Sequence, residues 1–151
     1  MADEVVDRVS DRAQEFLAPA FGEGLQLVNI VRDSAVDIRA GRHYVPSSMS
    51  RESLIGIARA DLAVAVRYIE TLATNGADIG VVRFNAINTE LALRTLTLVE
   101  DQGPGAKLSR ERVAEVIEQI NGSGSSSALV GRLGLLVEGV ADQDLAGANR
   151  I

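Results

Sequence analysis

The chain has 151 residues, enough for one domain with a sizeable core, and it has no cysteine, which excludes disulfides and thiolate metal sites. Hydrophobic residues make up 46% of the chain but aromatic residues only 3%, so the core consists mainly of Leu, Val, Ile and Ala, a composition that favours packed helices. The net charge of −6 and the lack of a basic patch argue against a nucleic-acid partner.

The spacing of apolar residues predicts an all-α fold of about six helices in a single domain that covers residues 1–151. The first is an amphipathic helix from about residue 4 to residue 17, and Pro19 is expected to end it because proline disrupts helix interiors. Three aspartates in this segment are interpreted as part of its solvated face: Asp3, Asp7 and Asp11. A second helix then extends to about Gly41.

Four further helices are predicted after the loop that contains Pro46 and His43, whose side chain is expected to be exposed. They run from Ser50 to about residue 73, from about residue 79 to residue 99, from Ser109 to about residue 121, and from about residue 128 to residue 140. Ser50 and Ser109 are predicted N-caps. The GSGSSS segment, residues 122–127, is predicted to be a flexible connector, and the end of the chain is expected to fray.

The second predicted helix carries its oxygen-bearing side chains on one side. Its apolar residues are spread around much of the circumference, but four polar residues fall within roughly an 80° arc; these residues, here called the polar face, are Gln26, Asn29, Asp33 and Asp37. On a mostly buried helix, carboxylates are costly unless they are paired, hydrogen-bonded or bound to metal. Asp33 and Asp37 lie one turn apart, so both can hold one hard cation, and Asn29 adds an amide oxygen.

Three arginines lie close to the polar face in the sequence and can meet phosphate oxygens: Arg32, Arg39 and Arg42. Magnesium keeps open positions for water and substrate phosphate, so this combination suits magnesium-bridged diphosphate chemistry. The spacing of Asp33 and Asp37 alone also fits a simpler interpretation, in which Asp33 pairs with arginines of a neighbouring helix and nothing binds.

The segment from residue 26 to residue 46 resembles the second aspartate-rich region of the squalene and phytoene synthase family. That family typically reads Q-L-x-N-I-x-R-D-x-x-x-D, followed after a short basic stretch by G-R-x-Y-x-P. The matching residues are Gln26, Leu27, Asn29, Ile30, Arg32, Asp33, Asp37, Gly41, Arg42, Tyr44 and Pro46. Val36 departs from the pattern, because the family usually has Glu there.

Two weaker similarities follow downstream. Residues 83–88 resemble the F-C-A-I-P segment of squalene synthases, with Asn85 and Asn88 in place of Cys and Pro. Residues 107–110, K-L-S-R, fall where the family carries a short basic segment. The resemblance covers about residues 16–125, which correspond to the second half of a typical family member.

The resemblance implies an isoprenoid-synthase-type helical fold and head-to-head joining of two prenyl diphosphates, such as farnesyl diphosphate, with Mg²⁺ as cofactor and NADPH if squalene is formed. It implies that Asn29, Asp33 and Asp37 are metal ligands and that the two aspartates are catalytic. The residues implied to bind substrate are Gln26, Arg32, Arg42, Tyr44 and Phe84, the last of which would steady a carbocation through its ring.

Because the sequence carries only the second aspartate motif, we expect a complete active site to need the first motif from another chain, either a separate N-terminal half or a second copy in a homodimer. Two alternatives remain open: a non-catalytic helical scaffold or regulatory subunit, and a truncated reading of a longer synthase. A cytoplasmic location with at most peripheral membrane contact is expected, because no signal peptide or membrane-spanning apolar run is present.

Overall fold

The computed structural model describes the backbone of residues 2–139 and the side chains of residues 15 and 17–139. Throughout that part the chain is helical with no strand, which confirms the predicted all-α class. The five helices of the described part are α1 (Ala2–Arg39), α2 (Arg51–Thr74), α3 (Ile79–Gln102), α4 (Arg110–Gly122) and α5 (Ser126–Val137). The chain end predicted to fray and the side chains of Asp3, Asp7 and Asp11 lie outside the described residues.

α1 is one continuous helix, so the predicted break at Pro19 is wrong and five helices are described where about six were expected. Pro19 has no backbone N–H to donate to the carbonyl of Glu15, but both residues are exposed, where water can satisfy that carbonyl. The following turns of α1 pack along α2. Tertiary packing therefore outweighs the local preference of proline to end a helix.

The helix starts agree with the predicted caps. The Ser50 hydroxyl accepts a hydrogen bond from the Ser53 N–H at 3.1 Å, and Ser109 accepts one from the Arg112 N–H at 3.1 Å. Ser125 caps α5 in the same way, since it accepts from the Ala128 N–H at 3.3 Å. Only residues 123–125 separate α4 from α5, so the connector is shorter than the predicted segment of residues 122–127.

α3 is the central element, since it packs against each of the other four helices. One cluster of buried side chains joins α1, α2 and α3 around Leu62 and Leu96. A second cluster joins α2, α3, α4 and α5 around Ile69 and Ile120. Within residues 2–139 no helix is long and apolar enough to cross a bilayer.

α1 and α2 lie close together at Gly24. A Cβ atom built there would lie 3.1 Å from the Cβ of Asp61 and 3.3 Å from the backbone N of Leu62. Gly22 has nothing within 4 Å of such an atom, so only Gly24 serves the close contact. Two glycines at the entrance to the sequence motif thus have different roles, and the role of Gly24 is packing.

Candidate functional site

The polar face of α1 is open to solvent. Gln26 and Asn29 are exposed, whereas Asp33 and Asp37 are partly buried. The core side of the same helix is formed by Val28 and Val31, whose side chains are almost fully buried. Within the single chain, α1 therefore packs through one side, and Gln26 and Asn29 on its other side remain exposed.

Asp33 is held by the arginine next to it in the sequence. Arg32 donates from Nε to Oδ1 at 2.9 Å and from Nη2 to Oδ2 at 2.7 Å. These hydrogen bonds are the main reason that the pKa of Asp33 lies below its usual value, and Lys107 lowers it further through its charge. The same contact raises the pKa of Arg32. Asp33 is therefore a carboxylate at neutral pH, as a metal ligand must be.

Asp37 pairs with Arg42 across the turn that ends α1. Nη2 of Arg42 lies 3.0 Å from Oδ1 of Asp37, and the Arg42 N–H donates to the Asp37 carbonyl at 2.8 Å. Gly41 makes this turn with a φ of 74°, in the left-handed region that favours glycine. The predicted site residues Asp37, Arg42 and Tyr44 line one cavity of about 40 Å³, together with the exposed His43. That volume holds water molecules or an ion but not a prenyl diphosphate.

The loop between α3 and α4 contacts α1 at Arg32, next to Asp33. The Gly105 N–H donates to the carbonyl of Arg32 at 2.7 Å, and Gly103 and Gly105 both adopt positive φ to shape the turn. This contact brings Lys107 close enough to Asp33 to lower the pKa of its carboxyl. Lys107 was noted in the sequence only as part of a basic segment, and the structure adds it to the charged groups around Asp33.

Phe84 does not join these residues. It is near the start of α3, and its side chain is 66% exposed. The loop that contacts α1 follows the other end of α3, after Gln102. At 1.5 Å of rise per residue, roughly 27 Å of helix separates Phe84 from Gln102. The amide groups of Asn85 and Asn88 donate to backbone carbonyls of their own helix, each at 2.9 Å.

The oxygen atoms of the polar face suit magnesium in kind and number. Two carboxylates and one amide fit an ion that commonly takes one or two protein carboxylates and completes its shell with water and phosphate. Both carboxylates would then share their oxygens with Arg32 and Arg42. No group of three or more His, Cys, Asp or Glu side chains that could hold a metal occurs among the described residues.

A second charged cluster lies inside the protein and was not predicted from the sequence. Glu90 of α3 is fully buried, and it accepts hydrogen bonds from Arg132 of α5 at 2.6 and 2.8 Å and from Arg94 at 2.9 Å. Arg132 also donates to Oε1 of Gln119 of α4 at 2.5 Å. This cluster ties three helices together. Its only signals in the sequence were Glu90 and Arg94 at helical spacing and one arginine, Arg132, within an apolar run.

Comparisons with known proteins add no relative. No protein-family model, no curated protein and no solved structure matches the chain. The functional interpretation therefore depends on the residues of the polar face and on what surrounds them.

Proposed function

We propose that this chain is the second-motif half of a prenyltransferase similar to squalene and phytoene synthases, and that it binds a prenyl diphosphate such as farnesyl diphosphate together with Mg²⁺ at the polar face of α1. The strongest support is the position of Lys107. Residues 26–46 and residues 107–110 are far apart in the sequence and both belong to the resemblance. The hydrogen bond from the Gly105 N–H to the Arg32 carbonyl at 2.7 Å brings the α3–α4 loop next to Asp33, and the charge of Lys107 in this loop lowers the pKa of the Asp33 carboxyl. A positive charge at that point is what a diphosphate bound beside the aspartates would need.

The residues divide into ligands for the ion and ligands for the phosphates. Asn29, Asp33 and Asp37 would hold the ion, which when bound would draw charge from the diphosphate leaving group. Cationic and polar groups around them would orient the diphosphate: Gln26, Arg32, Arg42, Tyr44 and Lys107. Exposed ion pairs are worth about 0–1 kcal/mol, so the arginines can exchange a carboxylate for a phosphate at little cost.

The exposed apolar residues support a partner chain. Val36 and Ile38, at the end of α1, are 50% and 57% exposed, and Phe84 is more exposed than either. A chain that completes the site beside Asp37 would also bury apolar surface of Val36 and Ile38, and such burial favours association. We propose that a second copy of the chain, or a separate chain carrying the first aspartate motif, covers them in the cytoplasm.

Calorimetric titration with a non-reactive analogue of farnesyl diphosphate, with and without Mg²⁺, tests the binding proposal. The wild type should bind more tightly with the ion, and Asp33→Asn should lose that difference. Glu118→Gln is the matched control, because Glu118 is exposed on α4, away from the polar face, and should keep metal-dependent binding. Equal affinity with and without Mg²⁺ in the wild type would contradict the assignment of Asn29, Asp33 and Asp37 as ligands.

Light scattering over a concentration series tests the partner. We expect self-association as the concentration rises, unless the partner is a different chain, in which case the purified protein should bind a prenyl diphosphate only weakly. A compact monomer that binds the analogue tightly at high micromolar concentration would contradict both forms of the partner proposal.

A non-catalytic helical scaffold is the second candidate. It is favoured by the arginine pairing of both aspartates and by Val36, which replaces a carboxylate of the family pattern. In that case Asp33→Asn and Asp37→Asn would leave association with the partner unchanged, and neither Mg²⁺ nor the analogue would bind.

A further inference from the structure

A cavity of about 540 Å³ lies beside the α3–α4 loop. It is bounded by the C-terminal half of α3, the loop itself, the first turn of α4 and the end of α5. We call it the α3–α5 groove. A cavity of this size has room for several side chains, and the proposed function makes no use of it.

Three leucines from three different elements meet at the wall of the groove. Leu98 belongs to α3, Leu108 to the α3–α4 loop and Leu136 to α5. All three side chains are only partly buried. Covering apolar surface of this kind contributes about 25 cal/mol for each Å² removed from water. The groove wall therefore favours an occupant that brings apolar side chains.

The two arginines of the groove are already engaged. Arg94 donates to Glu90 at 2.9 Å, and Arg112 donates to Glu115 at 3.0 Å. Both arginines also have interactions beyond these pairs, so neither waits for an anion from solution. An occupant that belongs to the chain itself fits this observation better than a free ligand does.

The chain leaves the described part of the structure at the groove. Gly139 is the last described residue, and it lines the groove directly after the end of α5. Its N–H donates to the carbonyl of Leu136 at 3.2 Å, and its φ is 78°. A glycine in this conformation turns the chain back toward the last turn of the helix. The residues that follow therefore start beside the groove, at a high effective concentration.

The sequence after Gly139 matches the groove in length and in kind. Residues 140–145 read V-A-D-Q-D-L, with an apolar residue at each end and two carboxylates between them. Six residues span at most about 20 Å. The stretch of α3 from Arg94 to Gln102 that lines the groove rises roughly 12 Å, so six residues are enough to cross it.

We propose that residues 140–145 of this chain occupy the α3–α5 groove. The side chains of Val140 and Leu145 pack on the three leucines, and the carboxylates of Asp142 and Asp144 face the two arginines. This placement replaces the fraying that the sequence predicted for the end of the chain. A tethered segment loses no translational freedom on docking, so these few contacts suffice. The inference does not depend on the proposed function, because the groove is separate from the polar face.

NMR of the full chain with labelled Leu, Val and Ile methyl groups, without Mg²⁺ or a diphosphate, tests the inference. We expect nuclear Overhauser cross-peaks from the Leu145 methyls to those of Leu108 and Leu136. Leu145→Ser should shift the methyl signals of the groove leucines. Ile151→Ser is the matched control, because it removes an apolar side chain of similar size six residues further along, and it should leave those signals unchanged.

Absence of the cross-peaks in the wild type would overturn the inference, as would equal shifts in the Leu145→Ser and Ile151→Ser variants. A mixture of differently labelled molecules identifies the source of the segment. Cross-peaks that join two different molecules would also overturn the inference, because a second copy would then fill the groove. Failure of the chain to bind a prenyl diphosphate would leave all of these outcomes unaffected.

Discussion

Two parts of this molecule contain arginine–carboxylate pairs, one inside the protein and one at the end of α1. Inside the protein, Glu90 is paired with Arg132 and Arg94 with no exposure of its side chain. At the end of α1, Asp33 and Asp37 are paired with Arg32 and Arg42, and the Asp33 side chain is 36% exposed. Both sets are arginine–carboxylate pairs with distances of 2.6–3.0 Å. They differ in access to water.

That difference decides which pairs can take part in binding. A buried charge cannot give up its partner without a large loss, whereas an exposed pair contributes little and can exchange partners. The sequence alone would not reveal this difference in exposure, because both regions contain carboxylates and arginines. The candidate ligand site is therefore the exposed set, and the buried set holds α3, α4 and α5 together.

Glu90→Gln should give the largest effect. It leaves the buried Arg132 without a carboxylate, and loss of one partner of a buried ion pair costs about 3–5 kcal/mol. The free energy of unfolding, measured with urea, should fall by that amount. Glu100→Gln is the control, because Glu100 forms an exposed pair with Arg59, and it should lose less than about 1 kcal/mol. Equal losses would show that burial does not separate the two classes.

Gly24→Val should cause the next largest loss in the free energy of unfolding. The added side chain would enter the space where a Cβ already comes within 3.1 Å of Asp61, and overpacking of this kind costs about 1–3 kcal/mol. Gly22→Val lies on the same helix with nothing within 4 Å, so it should stay within about 0.5 kcal/mol of the wild type. Urea unfolding of both variants measures the difference. Equal stability of the two variants would mean that α1 and α2 pack differently from the structure.

Asp33→Asn should have a small effect on stability and a large effect on binding. The pair that it removes is exposed, so the free energy of unfolding should change by less than about 1 kcal/mol. Metal-dependent binding of the prenyl diphosphate analogue should disappear. Thermal unfolding with and without the analogue and Mg²⁺ checks both parts. A loss of stability as large as that of Glu90→Gln would identify Asp33 as structural.

Arg32→Gln should give the smallest effect, and the effect should depend on pH. The hydrogen bonds from Arg32 lower the pKa of Asp33, so this stabilisation is present above the ordinary value of 3.8 and is lost as the pH falls through the lowered value. The variant should be less stable than the wild type by under about 1 kcal/mol at neutral pH, and the gap should close in acid. Arg39→Gln, on the exposed end of α1, is the control, and its difference in stability from the wild type should not shrink as the pH falls. A difference in stability between Arg32→Gln and the wild type that grows in acid would contradict the conclusion that Arg32 stabilises the Asp33 carboxylate.

Local sequence features predicted much of the fold. The apolar spacing predicted an all-helical chain, and Ser50 and Ser109 were predicted as caps because their hydroxyls can accept from the first turn. The predicted break at Pro19 was wrong, because the loss of one backbone hydrogen bond at proline is outweighed by the packing of α1 on α2. The connector was predicted to extend to residue 127, although the same capping chemistry of Ser125 lets α5 begin at Ser126.

The candidate site was predictable only where it depends on local helix geometry. The arrangement of Asn29, Asp33 and Asp37 follows from helix geometry alone. The approach of Lys107 to Asp33 depends on how the α3–α4 loop folds back onto Arg32, which no short-range pattern specifies. The pairing of Glu90 with Arg132 likewise joins residues on different helices and appears only when the helices pack.

The most direct test of the central claim is to locate the metal ion itself. Mn²⁺ can replace Mg²⁺ at oxygen-rich sites, and it broadens the amide NMR signals of the residues nearest to it. With the farnesyl diphosphate analogue present, the signals of residues 29–37 and of Lys107 should broaden first, while those around Phe84 and Glu118 should persist. Broadening that is strongest elsewhere, or that is unchanged in an Asp33→Asn, Asp37→Asn double variant, would contradict the claim that Asp33 and Asp37 hold the ion.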